Sequence, residues 1–208
     1  MIDWHPSRGL LTIGPNHHPK RIQQIGNPMN KINSLRHLIG TLSLLLLASC
    51  VGTPSLDLDA VRAAEIFNLR APQGNVLSSG QPTEDQLQVV GNAGVRHVIN
   101  LRSPREEIDF EERAAVEALG MEYYSIPVAG AAGVNQENAQ SLQQLLDSLG
   151  NDPVLVHCAS GNRVGGLFAI NAFANGSGLE AAMAEGTRWG MASEGVTQAV
   201  QQSLSGNR

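Results

Sequence analysis

The chain has 208 residues, a formal net charge of −5 and 42% hydrophobic residues, which suits one globular domain with an additional segment. From Cys50 onward it carries nine Arg, no Lys and eighteen Asp plus Glu, a formal charge of −9. Such an acidic chain is a poor match for nucleic acid or for electrostatic docking on anionic lipid. We find no spaced cluster of His, Cys and Asp, so the sequence predicts neither a metal site nor a cofactor.

The amino-terminal part has the features of an export signal. We interpret residues 1–28 as a spurious upstream extension, with Met29 as the true start. Basic residues then precede an apolar run at 38–48, which is too short to span a bilayer as a stable helix but suits a secretory signal. An uncleaved membrane anchor is the alternative.

The apolar run ends in Leu47-Ala48-Ser49-Cys50, which resembles the lipobox of bacterial lipoproteins. The resemblance implies that residues 29–49 are a signal peptide, that Cys50 is lipidated, and that residues 50–60 form a tether. We therefore expect a lipid-anchored protein of the bacterial cell envelope that faces the periplasm and meets the membrane only through acyl chains.

Residues 61–206 are predicted to form one domain in which strands and helices alternate. A capping box is expected at Thr83 and Gln86, where the first helix of this region starts. Short apolar runs predict strands at 66–70, 75–79, 95–101, 121–126 and 154–156. Helices are predicted from residue 83 through 90, and at 110–119, 135–149, 164–175, 179–189 and 194–204. The pattern predicts a single α/β domain with a central, mostly parallel sheet of about four or five strands and helices on both faces.

The main functional signal is the stretch His157-Cys158-Ala159-Ser160-Gly161-Asn162-Arg163, between the last predicted strand and an apolar helix. A sulfur is thereby placed at the carboxyl end of a parallel strand, facing free backbone N–H groups and the positive end of a helix dipole. We predict that Cys158 is a thiolate nucleophile and that Arg163 binds an oxyanion. Gly161 gives the loop the freedom to turn its amides toward that anion. A buried core cysteine is the alternative.

The motif His-Cys-x-x-Gly-x-Arg resembles the signature loop of the cysteine-dependent tyrosine and dual-specificity phosphatases, with four residues between Cys and Arg instead of the usual five. That spacing occurs in the beta-lactamase-hydrolase-like, phosphatase-like branch of the superfamily and in rhodanese-type sulfurtransferases. Residues 79–83 and 94–102 are similar to the same phosphatase-like branch, and the resemblance runs from about residue 68 to about 204. It implies a tyrosine-phosphatase-like fold and a covalent phosphate intermediate on Cys158. It also implies that the amides of Ala159, Ser160, Gly161 and Asn162 bind the phosphate and that His157 orders the loop.

The sequence departs from this family at two positions. In the family, an aspartic acid in the loop after the 121–126 strand protonates the leaving oxygen, and a hydroxyl residue follows the arginine. Here the loop at 127–135 contains no carboxylate, and residue 164 is Val. The nearest candidate acids are Glu106, Glu107, Asp109 and Glu137. The same loop, rich in Gly and Ala, is either a mobile lid or a crowded turn.

Three functions therefore fit the residues. A phosphatase would act on a phosphorylated protein or a small phosphate ester. A sulfurtransferase would take a sulfane sulfur from a donor onto Cys158, which needs neither the acid nor the hydroxyl. A non-catalytic module would bind a phosphorylated or sulfated ligand through Arg163 and the loop amides. We expect the phosphatase, because that resemblance covers more of the chain.

Four other polar residues lie outside the loop motif, and for three of them two interpretations are open. Gln81 either reaches the active loop or holds a structural turn. Arg102 either extends the anion site, together with Arg105, or belongs to a solvated rim. His97 lies in the middle of a predicted strand and is expected to be a core histidine.

Overall fold

The computed structural model describes residues 55–205. The predicted upstream extension, the predicted signal peptide, the predicted lipidation site at Cys50 and residues 50–54 of the predicted tether lie outside these residues. Between residues 55 and 205, no helix combines the length and the apolar character needed to cross a membrane.

Five short strands form one sheet in the order β1-β2-β5-β3-β4. The strands are β1 (Arg70–Gln73), β2 (Val76–Ser79), β3 (His97–Asn100), β4 (Glu122–Ser125) and β5 (Val154–His157). The four strands β2 to β5 run parallel, and only β1, at the edge, pairs antiparallel with its neighbour. The predicted single α/β domain with a mostly parallel sheet is confirmed.

Helices cover both faces of the sheet, as predicted. They are α1 (Leu58–Ala63), α2 (Glu84–Asn92), α3 (Glu112–Ala118), α4 (Gln136–Leu149), α5 (Asn162–Ala174), α6 (Leu179–Arg188) and α7 (Glu194–Ser205). Helices α1 to α3 contribute to one buried cluster, in which Leu155 represents the central strand. Helices α4 to α7 contribute to the other, together with Val154 and Val156. Alternate residues of β5 therefore enter opposite cores, as expected of a fully buried parallel strand.

The local signals that start helices behave as predicted. Thr83 caps α2 and forms the complete capping box with Gln86, in which each side chain bonds the backbone N–H of the other residue. Asn135 caps α4 by accepting a hydrogen bond from the backbone N–H of Asn138. These caps satisfy backbone N–H groups in the first turns of both helices with side chains from the same turn.

The first predicted strand, at 66–70, is wrong. Strand β1 begins only at Arg70, because Glu65 and Asn68 have positive φ angles of 51° and 52°, which an extended strand does not allow. The hairpin turn that follows is centred on Gly74. Helix α1 begins at Leu58, so ordered structure starts before the predicted domain boundary at residue 61.

Helix α5 lies unusually close to its neighbours because of two adjacent glycines. A Cβ on Gly165 would stand 2.4 Å from the carbonyl oxygen of Gly186 in α6, and one on Gly166 would stand 2.7 Å from a methyl group of Val134. Both distances are shorter than van der Waals contact, so this packing requires glycine. The first turn of α5, which carries Arg163, is thereby held against α6 and the loop before α4.

Candidate active site

The predicted nucleophile lies at the carboxyl end of the central strand. Cys158 directly follows β5, which is flanked by β2 and β3, and His157 is in register with both Ser79 and Asn100. The ends of three parallel strands therefore meet around Cys158. In open parallel sheets, ligand sites form at the carboxyl ends of the strands.

The loop after Cys158 is fixed from the side of β2. Gly80 forms an antiparallel bridge with Ser160, and the backbone N–H of Gln81 donates to the carbonyl of Ala159 at 3.2 Å. A Cβ on Gly80 would stand 3.1 Å from that same carbonyl oxygen. The residues 79–83 that the sequence analysis singled out therefore support the loop through their backbone.

A second support comes from Asn68. Its side-chain amide donates to the carbonyl oxygens of Ser160 and Gly190, each at 2.9 Å. Gly161 has a φ of 80°, and a Cβ there would stand 2.7 Å from the Asn68 amide nitrogen. The predicted need for glycine at 161 thus has two physical causes: a left-handed backbone and a crowded neighbour.

The sulfur of Cys158 accepts a hydrogen bond from the backbone N–H of Gly161 at 3.1 Å. The residue is fully buried and belongs to the core cluster on the α4–α7 side, which is a property of core cysteines. However, it also interacts with the charge of Arg163. A backbone donor and a buried cation at one sulfur are the features that stabilise a thiolate.

Arg163, in the first turn of α5, is almost fully buried, and its guanidinium is held at one end. Nη1 and Nη2 donate to the two carboxylate oxygens of Glu106 at 2.7 and 2.6 Å. Nη1 also donates to the carbonyl of Val128 at 2.7 Å. None of these contacts uses Nε. The edge formed by Nε and the second N–H of Nη2 is therefore the one that remains for an anion.

The ion pair determines the charge of both partners. Hydrogen bonds from Arg163 lower the pKa of Glu106 to about 2, although burial acts in the opposite direction. Burial acts to lower the pKa of Arg163, but the hydrogen bonds to Glu106 and the nearby Cys158 raise it overall. Glu106 is therefore a carboxylate at neutral pH and has no proton to donate.

A buried carboxylate that the sequence analysis missed lies next to the loop. Glu112, at the start of α3, is 3% exposed and accepts hydrogen bonds from the side-chain amides of Gln81 and Asn100, both at 2.5 Å. Its Oε1 lies 3.1 Å from Nε2 of His157, whose side chain is fully buried. Burial acts to raise the pKa of Glu112, but His157, Gln81 and Tyr123 lower it overall.

Arg102 joins the two carboxylates into one network. Its Nη1 donates to the side-chain oxygen of Gln81 at 2.7 Å, and its Nη2 donates to the carbonyl of Glu107 at 2.7 Å. Its Nε lies 3.7 Å from Glu106. Gln81 therefore bridges Arg102 and Glu112. Arg102 also forms an ion pair with Glu106. Arg105 is exposed.

Asn162, a predicted anion-binding residue, uses its side chain elsewhere. Its Nδ2 donates to the hydroxyl of Ser160 at 3.0 Å, and its Oδ1 accepts from the backbone N–H groups of Ala192 and Ser193 at 2.7 and 2.6 Å. The side-chain oxygen and one of the two amide N–H groups of Asn162 are therefore used within the protein. The side chain instead ties α5 to the segment before α7.

The four candidate acids are not gathered at the sulfur. Glu106 is paired with Arg163, and Glu107 contacts the network through its carbonyl. Asp109 and Glu137 are exposed, and neither is hydrogen-bonded to residues 158–163 in the described part of the chain. Loop 127–135 is a crowded turn here: Val128 and Val134 are buried, and a Cβ on Gly133 would stand 2.5 Å from the nitrogen of Ala129.

His97 is a core histidine, as predicted. It lies at the beginning of β3, so it is at the amino end of the parallel strands, whereas Cys158 is at the carboxyl end. Its Nε2 lies 3.2 Å from Asp152 and its Nδ1 lies 3.5 Å from Glu122. Among residues 55–205, no three His, Cys, Asp or Glu side chains are grouped so that they could hold a metal ion.

Two cavities lie at opposite ends of the parallel strands. One, of about 340 Å³, is lined by Glu106, Glu112, Arg102 and their neighbours. The other, of about 640 Å³, lies between the start of β2 and the residues before β5, far from the nucleophile. The smaller cavity contains Arg102, Glu106 and Glu112 of the network around Arg163, although neither Cys158 nor Arg163 lines it.

Comparison with protein families gives one match. The model described as "Beta-lactamase hydrolase-like protein, phosphatase-like domain" matches residues 67–175, just over half of the chain. Beta-lactamase hydrolase-like proteins of Xylella fastidiosa strains Temecula1 and 9a5c are each 32% identical over 102 residues. The match covers 47% of this chain and 23% of theirs, so the chain spans about a quarter of the length of these relatives.

Solved structures share the fold. A candidate phosphatase (DUF442) from Shewanella putrefaciens CN-32 has a TM-score of 0.53 and 26% identity, covering 72% of this chain and 97% of its own. Tk-PTP in its active form has a TM-score of 0.56 and 21% identity, covering 68% and 98%. The second likeness shows the fold alone. The expected tyrosine-phosphatase-like architecture is confirmed by both.

Proposed function

Because the chain belongs to the family of phosphatase-like domains of beta-lactamase hydrolase-like proteins, we propose that it is a phosphatase that acts through the Cys158 thiolate. One observation supports this mechanism above the others. The sulfur of Cys158 has a backbone donor 3.1 Å away and a buried Arg163 beside it, and the guanidinium keeps its Nε edge free of protein carboxylate. A thiolate and an oxyanion fork side by side suit attack on a phosphoryl group.

The reaction we propose has two displacements. The Cys158 thiolate attacks phosphorus, a sulfur–phosphorus bond forms, and the bond to the leaving oxygen breaks with its electron pair going to that oxygen. Water then attacks phosphorus, the sulfur–phosphorus bond breaks, and phosphate and the thiolate are released. Arg163 and the loop amides hold the non-bridging oxygens in both steps, where negative charge is most concentrated.

The charge state of the nearby carboxylates suggests the class of leaving group. Glu106 and Glu112 are the carboxylates that contact the site network, and both are ionised because their pKa values are lowered. Neither can protonate a leaving oxygen. A phosphate ester whose leaving group departs as a stable anion is therefore favoured, which means an aryl phosphate such as phosphotyrosine before an alkyl phosphate.

A sulfurtransferase is the second candidate. The supporting observation is again the lack of an acid, together with the fully buried, hydroxyl-free Val164 after the arginine. Here the Cys158 thiolate would attack the outer sulfur of thiosulfate, form a persulfide and release sulfite. Cyanide would then take that sulfur as thiocyanate and restore the thiolate. Neither step needs a general acid.

We also propose that the protein is anchored to the bacterial envelope through a lipid on Cys50, facing the periplasm. The support is the sequence 47–50, with its apolar run before the cysteine. Metabolic labelling with a fatty-acid analogue tests this directly: the wild-type chain should incorporate label, and Cys50→Ser should not. Label retained in the variant would refute the anchor.

One experiment separates the candidate activities. The reduced full chain and its Cys158→Ser variant are assayed for phosphate release from an aryl phosphate and for thiocyanate formation from thiosulfate and cyanide. We expect phosphate release that depends on Cys158. Thiocyanate alone would replace the phosphatase with the sulfurtransferase. Neither product, with phosphate or sulfate still raising the melting temperature, would indicate a binding module.

A further inference from the structure

The larger cavity, of about 640 Å³, lies at the amino end of the parallel strands and takes no part in the proposed reaction. Phe168 and Trp189 line it, and their rings are stacked with centroids 3.9 Å apart. Most of the polar residues around it are exposed. A concave site of this size, with aromatic residues and a set of polar groups, has the character of a small-molecule site.

One buried polar atom in this cavity has no partner within the described part of the chain. Asn171, in α5, is only 6% exposed and lines the cavity. Its Nδ2 donates to the carbonyl of Ala139 at 3.0 Å, which fixes the orientation of the amide. Its Oδ1 accepts no hydrogen bond from residues 55–205, and it is not sealed within the core. A buried acceptor that is left open toward a cavity is available to a donor on a ligand.

Two further amides at the cavity are turned the same way. Nδ2 of Asn75 donates to the carbonyl of Asn151 at 2.6 Å, and Nε2 of Gln143 donates to the carboxylate of Asp147 at 2.8 Å. In each case the amino group is used within the protein and the amide oxygen is left for other donors. The three amides with a fixed orientation therefore present acceptors to a ligand.

The charge of the cavity is negative. Asp147, Asp152 and Glu185 line it, whereas none of its described lining residues is Lys, Arg or His. From outside the lining, Arg188 pairs with Glu185 at 2.8 Å and His97 lies 3.2 Å from Asp152. Asp147 has no cationic partner among residues 55–205. The carboxylates are not grouped closely enough to hold a metal ion, so the negative charge is spread along the cavity.

We propose that this cavity binds a small organic cation with two separated ammonium groups, such as a linear diamine. An ammonium group carries only donors and so matches the open oxygen of Asn171 and the carboxylate of Asp147. A methylene chain between two such groups can pack on the aromatic residues, and the ring of Phe168 also favours a cation. Anions are repelled here, so the phosphate substrate belongs to the other end of the strands. The inference does not depend on the reaction at Cys158.

Calorimetric titration of the full chain with cadaverine tests the proposal. A neutral diol of the same length and Mg²⁺ are titrated separately, all at one ionic strength. We expect saturable one-to-one binding of cadaverine alone. Asp147→Asn, a change at an exposed position, should weaken this binding about three- to fivefold. Asp85→Asn, which removes the same charge from an exposed site in α2 outside the cavity, should leave it unchanged.

A second measurement needs no change in the cavity. In the ¹⁵N spectrum of the wild-type chain, cadaverine should shift the side-chain amide signal of Asn171, assigned with Asn171→Ser. The signal of Asn138, whose amide bonds the carbonyl of Gly133 away from the cavity, should stay in place. Several results would overturn the proposal: no saturable binding of cadaverine, equally tight binding of the diol or Mg²⁺, an equal loss in Asp85→Asn, or an unmoved Asn171 signal. Phosphate release is not measured in either experiment, so the proposed function stands or falls separately.

Discussion

Arg163 and Glu106 contact each other through two parallel hydrogen bonds, 2.7 and 2.6 Å long, across the rim of the candidate site. Such a two-point contact fixes the plane of the guanidinium before any ligand arrives. It also removes Glu106 from the list of possible proton donors, because a carboxylate so paired stays ionised. Glu106 therefore orients Arg163, the arginine that we propose binds the anion.

Glu106→Gln should lower the free energy of unfolding by about 2 kcal/mol at pH 7, the usual value of a hydrogen bond to a charged group. The pKa of Glu106 is lowered from 4.5 to about 2 in the folded protein. A lowered pKa contributes stability that is fully present above pH 4.5 and is lost as the pH falls toward 2. The difference between wild type and variant should therefore shrink across that interval.

Urea unfolding of both proteins at several pH values between 7 and 2.5 measures this difference. Glu107→Gln is the control, since its side chain is exposed and it contacts Arg102 only through its carbonyl. A gap between wild type and Glu106→Gln that is constant with pH would contradict the assigned ion pair.

Gly161→Ala should destabilise the protein by about 1 to 2 kcal/mol more than Gly120→Ala does. Both glycines have similar positive φ angles, 80° and 75°, so both variants carry the cost of a left-handed alanine. Only Gly161 has a crowded neighbour, the Asn68 amide at 2.7 Å, while nothing lies within 4 Å at Gly120.

Melting temperatures with and without phosphate measure both effects. The increase in melting temperature that phosphate produces should be reduced in Gly161→Ala and retained in Gly120→Ala, because only the first displaces the loop. Equal destabilisation and equal phosphate response in the two variants would show that the Asn68 contact has no influence.

Val164→Thr should accelerate breakdown of the phosphoenzyme while lowering stability by about 1 kcal/mol. Threonine has nearly the same shape, but its hydroxyl enters a fully buried site in the core. The resemblance to the cysteine-dependent phosphatases implies a hydroxyl at this place that helps the thiolate leave. Rapid-quench kinetics with an aryl phosphate should show a smaller burst and faster steady-state turnover. Val164→Ala, which also disturbs the core, should not show this gain.

Turnover should depend strongly on the leaving group. With both site carboxylates ionised, the departing oxygen carries the negative charge itself, so kcat/KM should increase as the pKa of the leaving phenol decreases. A series of substituted phenyl phosphates, with an alkyl phosphate for comparison, measures the slope. A flat dependence would reveal a proton donor that reaches the site in the substrate complex.

Local chemistry explains why much of the fold could be predicted from the sequence. The capping box of Thr83 and Gln86 and the cap of Asn135 are interactions within one turn, so their residue types are visible directly. The position of Cys158 followed from the order strand, loop, helix. These features depend on neighbours in sequence, which periodicity and turn chemistry describe well.

The partners in the site could not be predicted, because they depend on contacts between distant segments. Glu112 is one of several carboxylates near the start of α3, and only the packing of α3 against the sheet selects it over the adjacent Glu111. The sequence predicts Glu106 as a candidate acid, because its position does not reveal the guanidinium 57 residues away. Strand β1 was misplaced because the positive φ of Asn68 serves the loop at Ser160 rather than a local turn.

The two glycines of α5 have a consequence for selectivity. Since Gly165 and Gly166 leave no space between this helix and its neighbours, the turn that carries Arg163 cannot slide outward to suit a larger ligand. The distance between the Cys158 sulfur and the Arg163 guanidinium should therefore change little when a ligand binds. Tetrahedral anions of one size should be accepted with little loss of conformational entropy, and bulkier ones should be rejected by the geometry of the helix contact itself.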